Sequence, residues 1–305
     1  MSSTTLLTLP TRRRARAADD EPNVPSSVQP SAGTKTITMV VLTAVALYFL
    51  LPLWWLFVQT TKTRPDMVNT PSLWFGSELN LWENIRSVLT YDGGHFTQWL
   101  GYSLLYAGAA AVVGTVVSMA CGYAFAKFRF RGRRYLLVVI MAGMLLPAAL
   151  LTIPLFFVFS ALGIVNTVWA IIIPSCVSPF GVFLSIIYCQ TVPDELIEAA
   201  RLDGASEVRI FFTIVLRLLS PAVVTVALFI YIGTWNEFLL PMVMLRGKDM
   251  LPVTLGLYTW QNYDTEMLTL QVLTGSMLSV IPVIVLFLGL QRYWRAGLTQ
   301  GAVKA

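Results

Sequence analysis

Charge is what this chain has least of. Asp, Glu, Lys and Arg make up 12% of its 305 residues, while hydrophobic residues make up 56%. Ordinary soluble domains carry about a quarter charged residues, so a water-soluble globular protein is excluded. Apolar runs of about 20 residues are long enough to cross a bilayer as helices. Six are present, at residues 37–58, 104–125, 135–159, 168–188, 218–240 and 270–290, and five of them hold no Asp, Glu, Lys or Arg. Alternating segments of about ten residues, the pattern of a membrane β-barrel, are missing. The expected fold is an all-α membrane protein with six transmembrane helices.

Other scarcities narrow the chemistry. Histidine occurs once, as His95 beside Gly93 and Gly94, with no second ligand or base near it in the chain. The three cysteines, Cys121, Cys176 and Cys189, lie in or at the ends of predicted spans without metal-ligand spacing, and read as small apolar core residues. A membrane-embedded enzyme would need a nucleophile, a metal cluster or an acid–base pair at membrane depth. None is visible, so no catalytic or metal residue is assigned. The phosphate-binding loop GxxxxGK[ST] is also missing: Gly247-Lys248 is followed by Asp249. The chain itself is therefore expected to hold no ATP and no other cofactor. An ion-coupled secondary transporter, the main alternative, usually carries several ionisable groups inside the membrane. Here only Glu237 falls within a predicted run, where a lipid-facing charge would be costly and a functional role competes with a place near water at the outer end.

The charge that is present has a direction. With the N-terminus in the cytoplasm, 16 of the 21 Lys and Arg fall on inside segments and five outside, at Lys62, Arg64, Arg86, Arg246 and Lys248. That is a positive-inside pattern with both termini cytoplasmic, and the net charge of +5 needs no nucleic acid to account for it. Residues 1–36 read as a disordered cytoplasmic tail. Its arginines at 12–14 and 16 are separated from the first apolar run by about twenty polar residues, unlike a cleaved secretory signal. A six-helix transmembrane domain is expected over 37–295 and a second cytoplasmic tail over 296–305. In the outer segment 59–102, Trp74, Trp82 and Trp99 read as interfacial anchors. Tyr258, Trp260 and Tyr263 in the second outer loop fit either anchoring or stacking on a sugar ring. Gly108, Ala109, Ala110, Ala111, Gly114 and Ser118 suit close helix contact. The proline pairs Pro147/Pro154 and Pro174/Pro179 predict interrupted helices facing the bundle interior.

One long polar stretch, residues 191–217, separates two of the apolar runs. Pro193 suits a first helical turn, and Asp194 and Glu195 suit the positive end of the helix dipole. Leu196, Ala199 and Ala200, at i, i+3 and i+4, predict one narrow apolar face. Gly204 can end the helix in a left-handed turn, and Ser206 can cap the next helix. Three small residues form no core, so this helix–turn–helix is expected to dock on another surface.

Glu198-Ala199-Ala200, then Gly204, Ile214 and Leu216, resembles the EAA signature of ABC importer permeases. The string from Glu198 to Ser206, EAARLDGAS, resembles its maltose-type carbohydrate-uptake branch. Where the family usually has a proline after the leucine, this chain has Arg217, which bears on how sharply the second helix ends. The joint from Leu162 to Thr167, the Trp235-Asn236-Glu237 stretch and the C-terminal string from Gly297 to Lys304 resemble the same family. The resemblance implies a type I importer fold whose cytoplasmic coupling helix rests in a cleft of an ATP-hydrolysing subunit. It implies ATPase coupling through Glu198, Ala199, Ala200, Asp203 and Gly204, a C-terminal ATPase contact at Thr299, Gln300 and Gly301, and a candidate translocation path at Asn236 and Glu237. The implied partners are a second permease subunit in a heterodimer, two ATPase subunits that bind the ATP and Mg, an extracytoplasmic binding lipoprotein or periplasmic protein, membrane lipid and a sugar. The implied place is a bacterial or archaeal cytoplasmic membrane. Glycerol phosphate or another polyol is the alternative cargo.

Overall fold

The computed structural model describes residues 31–263 and 265–301. They divide into two units, one ending at Pro52 and one beginning at Leu53. In the first unit, α1 (Ala32–Thr60) begins and runs exposed, with Pro52 inside it. Most of the tail expected over residues 1–36 lies outside the described residues, and the helix is already formed from residue 32.

The second unit is built on α4 (His95–Lys127), a 33-residue helix without proline. At 1.5 Å per residue it is about 50 Å long. It packs along α8 (Pro179–Gln190) and α12 (Ser220–Trp235). Its small residues make the approach close, as expected from the sequence. A Cβ on Gly122 would sit 2.4 Å from that of Ser185, and one on Gly114 would sit 3.0 Å from the Cys176 carbonyl. In lipid there is little hydrophobic drive between helices, so such backbone proximity supplies the packing energy. Cys189 is buried there, Cys121 and Cys176 are half-buried, and all three are free thiols.

Several expected spans turn out broken. The run 135–159 is two helices, α5 (Arg133–Leu145) and α6 (Ala148–Ala161), bent by 107°. Pro147 disfavours helical backbone at Leu146, which is extended at φ −80°, ψ 122°. The next run is α7 (Trp169–Ser175) with Pro174 inside it, then α8, whose first turn opens on Pro179 and is capped by the Ser178 hydroxyl accepting from the Gly181 N–H. The run 218–240 is shorter than expected. Its helix α12 ends at Trp235, and α13 (Leu239–Met244) follows a three-residue break. By length and composition, four helical stretches among the described residues can cross a membrane, or six if each bent pair is one span.

At the His95 end of α4, α3 (Leu81–Thr90) packs on α15 (Thr265–Gly301), which pairs with α14 (Val253–Tyr263), and Arg64 of α2 (Arg64–Asn69) reaches Gln271 of α15. Here two expectations are corrected. Trp99 and Trp260 are buried at 0% and 2% exposure, with ring centres 4.9 Å apart. Both are core residues; Trp99 can leave water because its Nε1 finds the Lys248 carbonyl at 2.7 Å. Trp74, Trp82 and Tyr258 remain exposed, while the Tyr263 side chain lies outside the described residues.

Candidate functional site

The stretch 191–217 is helix, turn and helix. Pro193 stands at the cap position, just before the first turn of α9 (Asp194–Leu202) in which it was expected, and Asp194 and Glu195 occupy that turn. Gly204 is left-handed at φ +80°. The Ala205 N–H reaches the Ala200 carbonyl and the Gly204 N–H that of Arg201, both at 3.0 Å, which closes the helix with its last carbonyls satisfied. Ser206 caps α10 (Glu207–Ile210) by accepting from the Arg209 N–H. A π-helical turn, Phe211–Val215, leads into α11 (Leu216–Leu218). The chain then bends by 88° into α12 at Leu219. Pro221 in the first turn of α12 provides the stop that Arg217 cannot.

The apolar faces of α9 differ from the expected arrangement. Ile197, at 2% exposure, plugs into a cluster with Met119, Tyr123, Ile210, Phe211 and Val215. Ala200 is half-buried against the same cluster. The inner face therefore rests on this chain's own core. Leu196, Leu202 and Val208 point outward, Leu202 at 89% exposure and Val208 at 68%. Glu198, Ala199, Asp203 and Gly204 are also exposed.

Polar ties hold this segment to α4, and sequence reasoning missed them. Glu207 accepts from the Tyr123 hydroxyl at 2.9 Å through one oxygen and from Arg201 Nε at 2.6 Å through the other. The Arg201 guanidinium lies 5.6 Å from the centre of the Phe128 ring, within cation–π range. Lys127 Nζ donates to Asp194 at 2.7 Å and to the Val192 carbonyl. That ammonium holds the Asp194 carboxyl below its usual range. The spacing of Tyr123 and Lys127, four residues apart at the end of a long apolar helix, was the one available signal. Glu198, Asp194 and Ile197 line a groove of about 260 Å³ together with Lys127, Arg129 and Arg201.

Asn236 and Glu237 sit in the break between α12 and α13, outside any helix. Asn236 caps the end of α12, its side-chain amide donating to the Ile232 carbonyl at 2.9 Å. Glu237 Oε1 accepts from the Leu240 N–H at 3.2 Å. The carboxylate borders a cavity of about 330 Å³ that also takes in Thr152, Pro174, Ser178, Pro179 and Thr234. Pro174 and Pro179 thus face this space, whereas Pro147 and Pro154, expected to do the same, are exposed and stand outside its lining. Thr299, Gln300 and Gly301 fall in the last turn of α15, which runs past the expected boundary at 295. Their side chains lie outside the described residues.

A bundle of interrupted apolar helices carrying a helix–turn–helix between two spans defines a multi-pass membrane transport subunit. The chain belongs to the family described as "binding-protein-dependent transport system inner membrane component", which matches residues 114–299. The arabinooligosaccharides transport system permease protein AraQ of Halalkalibacterium halodurans is 36% identical over 227 residues, 73% of this chain and 79% of that protein. The trehalose/maltose transport system permease protein MalG of Thermococcus litoralis is 29% identical over 262 residues, covering 85% and 93%. The osmoprotective compounds uptake permease protein GgtD of a Synechocystis strain is 30% identical over 275 residues, covering 86% and 89%. Among solved structures, a chain of a bacterial ABC transporter involved in import of the acidic polysaccharide alginate matches with a TM-score of 0.74. That match is at 23% identity, over 87% of this chain and 99% of that one.

Proposed function

We propose that the chain is one of two different transmembrane subunits of an ATP-driven carbohydrate importer. The observation that carries this reading is the two-faced α9. Its inner face is anchored by Ile197, while Leu196 and Leu202 are left on its outer side, near the exposed Val208 of α10. Exposed apolar groups on a charged loop mark a docking surface, and the EAA-like residues Glu198, Ala199, Asp203 and Gly204 share it. The partner there is an ATPase, present in two copies that bind ATP and Mg. With the basic end of α4 and the C-terminus, this face lies in the cytoplasm, and an external binding protein delivers cargo on the other side. Closure of the ATPases draws the coupling segments together and tilts the broken helices, so the cavity beside Glu237 opens alternately to each side. No covalent chemistry occurs in this chain.

Carbohydrate as the cargo is supported by the arabinooligosaccharide and trehalose/maltose uptake in the relatives' names. The osmoprotectant relative favours a second reading, a small polyol. The test is purification of the tagged chain from its own membrane, followed by uptake in proteoliposomes. An ATPase should co-purify with the wild type and be lost from Glu198→Lys. A wild-type preparation free of any ATPase would refute the proposal, and a panel of neutral sugars and polyols would separate the two cargoes.

A further inference from the structure

We infer that α4 is a rigid rod linking the coupling segment to the outer loop Lys248–Val253, with Tyr123 and Glu207 as the positioning residues that fasten its inner end. The inference rests on the importer reading above and adds the route by which the two surfaces communicate.

The inner fastening is specific. A single carboxylate, Glu207, joins three elements: it opens α10, binds Tyr123 on α4 and binds Arg201 on α9. The Tyr123 ring is buried between Phe128 at 5.5 Å and Phe211 at 5.8 Å, so the hydroxyl cannot swing away without moving both. One turn on, Lys127 makes a second tie to Asp194. Bonds to charged groups contribute more than neutral ones, roughly twice as much. Two of them converge where α9 and α10 meet α4.

The shaft is continuous. α1, α6, α7 and α15 have proline inside them, whereas α4 has none over 33 residues. Kinks arise at prolines, π-turns or inserted groups, and α4 has helical backbone from end to end. Its glycines do not loosen it where Gly114 and Gly122 are pressed against α7–α8 backbone.

The outer fastening mirrors the inner one. Trp99 Nε1 donates to the Lys248 carbonyl at 2.7 Å, and the Tyr106 hydroxyl donates to the Met250 carbonyl at 2.8 Å. The Ser103 hydroxyl accepts from the Val253 N–H at 2.8 Å. Residues 99, 103 and 106 share one helix face, so three bonds bind six loop residues to one side of the rod. The loop is held a second time where Lys248 Nζ donates to Asp92 at 2.8 Å. A displacement of α9 and α10 therefore reaches Lys248–Val253 without a hinge to absorb it. By reciprocity, a protein docking on that outer loop biases the coupling segment equally.

The test uses the complex purified from its own membrane through a tag on this chain, with its external binding protein and a mixture of neutral mono- and disaccharides. In Tyr123→Phe and Glu207→Gln, sugar-dependent stimulation of ATP hydrolysis should fall at least about fivefold, the low end of coupling between distant sites. Unstimulated hydrolysis and the amount of retained ATPase should stay at wild-type levels. Ser103→Ala, which removes one of the three outer bonds, should lower the stimulation in the same direction but by less, again without loss of the ATPase. Glu207→Asp, which keeps a carboxylate able to accept from Tyr123 and Arg201, should retain part of the stimulation that Glu207→Gln loses. Stimulation within twofold of wild type in both Tyr123→Phe and Glu207→Gln would overturn the inference, as would loss of the ATPase from either. A wild-type complex without stimulation would instead refute the importer reading, and that control is read in the same preparation.

Discussion

Two glycines allow backbone strain to be separated from docking. Gly204 and Gly132 are both left-handed, at φ +80° and +84°, and a Cβ at either would meet nothing within 4 Å. A side chain at either position therefore costs only the conformational penalty, about 1–2 kcal/mol. Gly132→Ala and Gly204→Ala should destabilise the isolated chain about equally. Thermal unfolding followed by a thiol-reactive dye can measure this, since Cys189 is buried and reacts on unfolding. Asn adopts the left-handed region more readily, so Gly204→Asn should unfold later than Gly204→Ala. Retention of the ATPase should run the other way. Gly204 lies on the exposed side of the α9–α10 turn, where the larger Asn side chain intrudes further into a docked partner. A loss of even about 1.4 kcal/mol there is tenfold in affinity. Gly132→Ala should retain the ATPase fully. The reasoning is refuted if retention simply follows stability, with Gly132→Ala and Gly204→Ala alike and Gly204→Asn better than both.

Ala200→Trp should now act through folding first, because Ala200 packs against the Ile197 cluster; overpacking costs about 1–3 kcal/mol and should appear in the isolated chain's unfolding temperature. Glu237→Gln should lower uptake while the amount of assembled complex stays unchanged, as measured in proteoliposomes of known subunit content. For Asp194→Asn the effect depends on pH. Lys127 lowers the Asp194 carboxyl below its usual value, so its contribution is full above about pH 4 and is lost as pH falls through the lowered value. Amide exchange in α9, corrected for intrinsic rates, should be faster than wild type at neutral pH, and the difference should vanish in strong acid. A cysteine placed at Ser206 should be labelled only from the cytoplasmic side of intact cells.

The parts of the site that depend on local chemistry were readable in the chain. Gly204 ends a helix because only an unbranched backbone turns left-handed cheaply, and Ser206 caps because its hydroxyl meets an unpaired N–H within the same turn. The parts that depend on distant neighbours were not readable. Leu196 and Ile197 are adjacent apolar residues on a nine-residue helix with apolar groups on both sides. Which one turns inward is decided by Met119 and Tyr123, on a helix far away in sequence. Trp99 reads as a surface anchor until a carbonyl 149 residues later is found to satisfy its N–H. The third and fifth apolar runs are visible, but the 107° and 88° bends are not. A proline predicts that a helix is interrupted without stating by how much.

Prolines and their absence also divide the mechanical work of the bundle. Pro147, Pro174 and Pro179 stand at or beside helix breaks, and all the interrupted segments except α10–α11 contribute to the cavity beside Glu237. Breaks free carbonyls that only protein or water can satisfy, so they belong where an aqueous path is wanted, and they are also where a helix bends most cheaply. Among the described residues, the one long helix without proline is α4, and hydrogen bonds tie its two ends to the Lys248 carbonyl and to Glu207 of α10. A rod of that kind is useful only if the elements around it yield. An importer that opens alternately needs both properties in the same chain, and this chain places them on different helices.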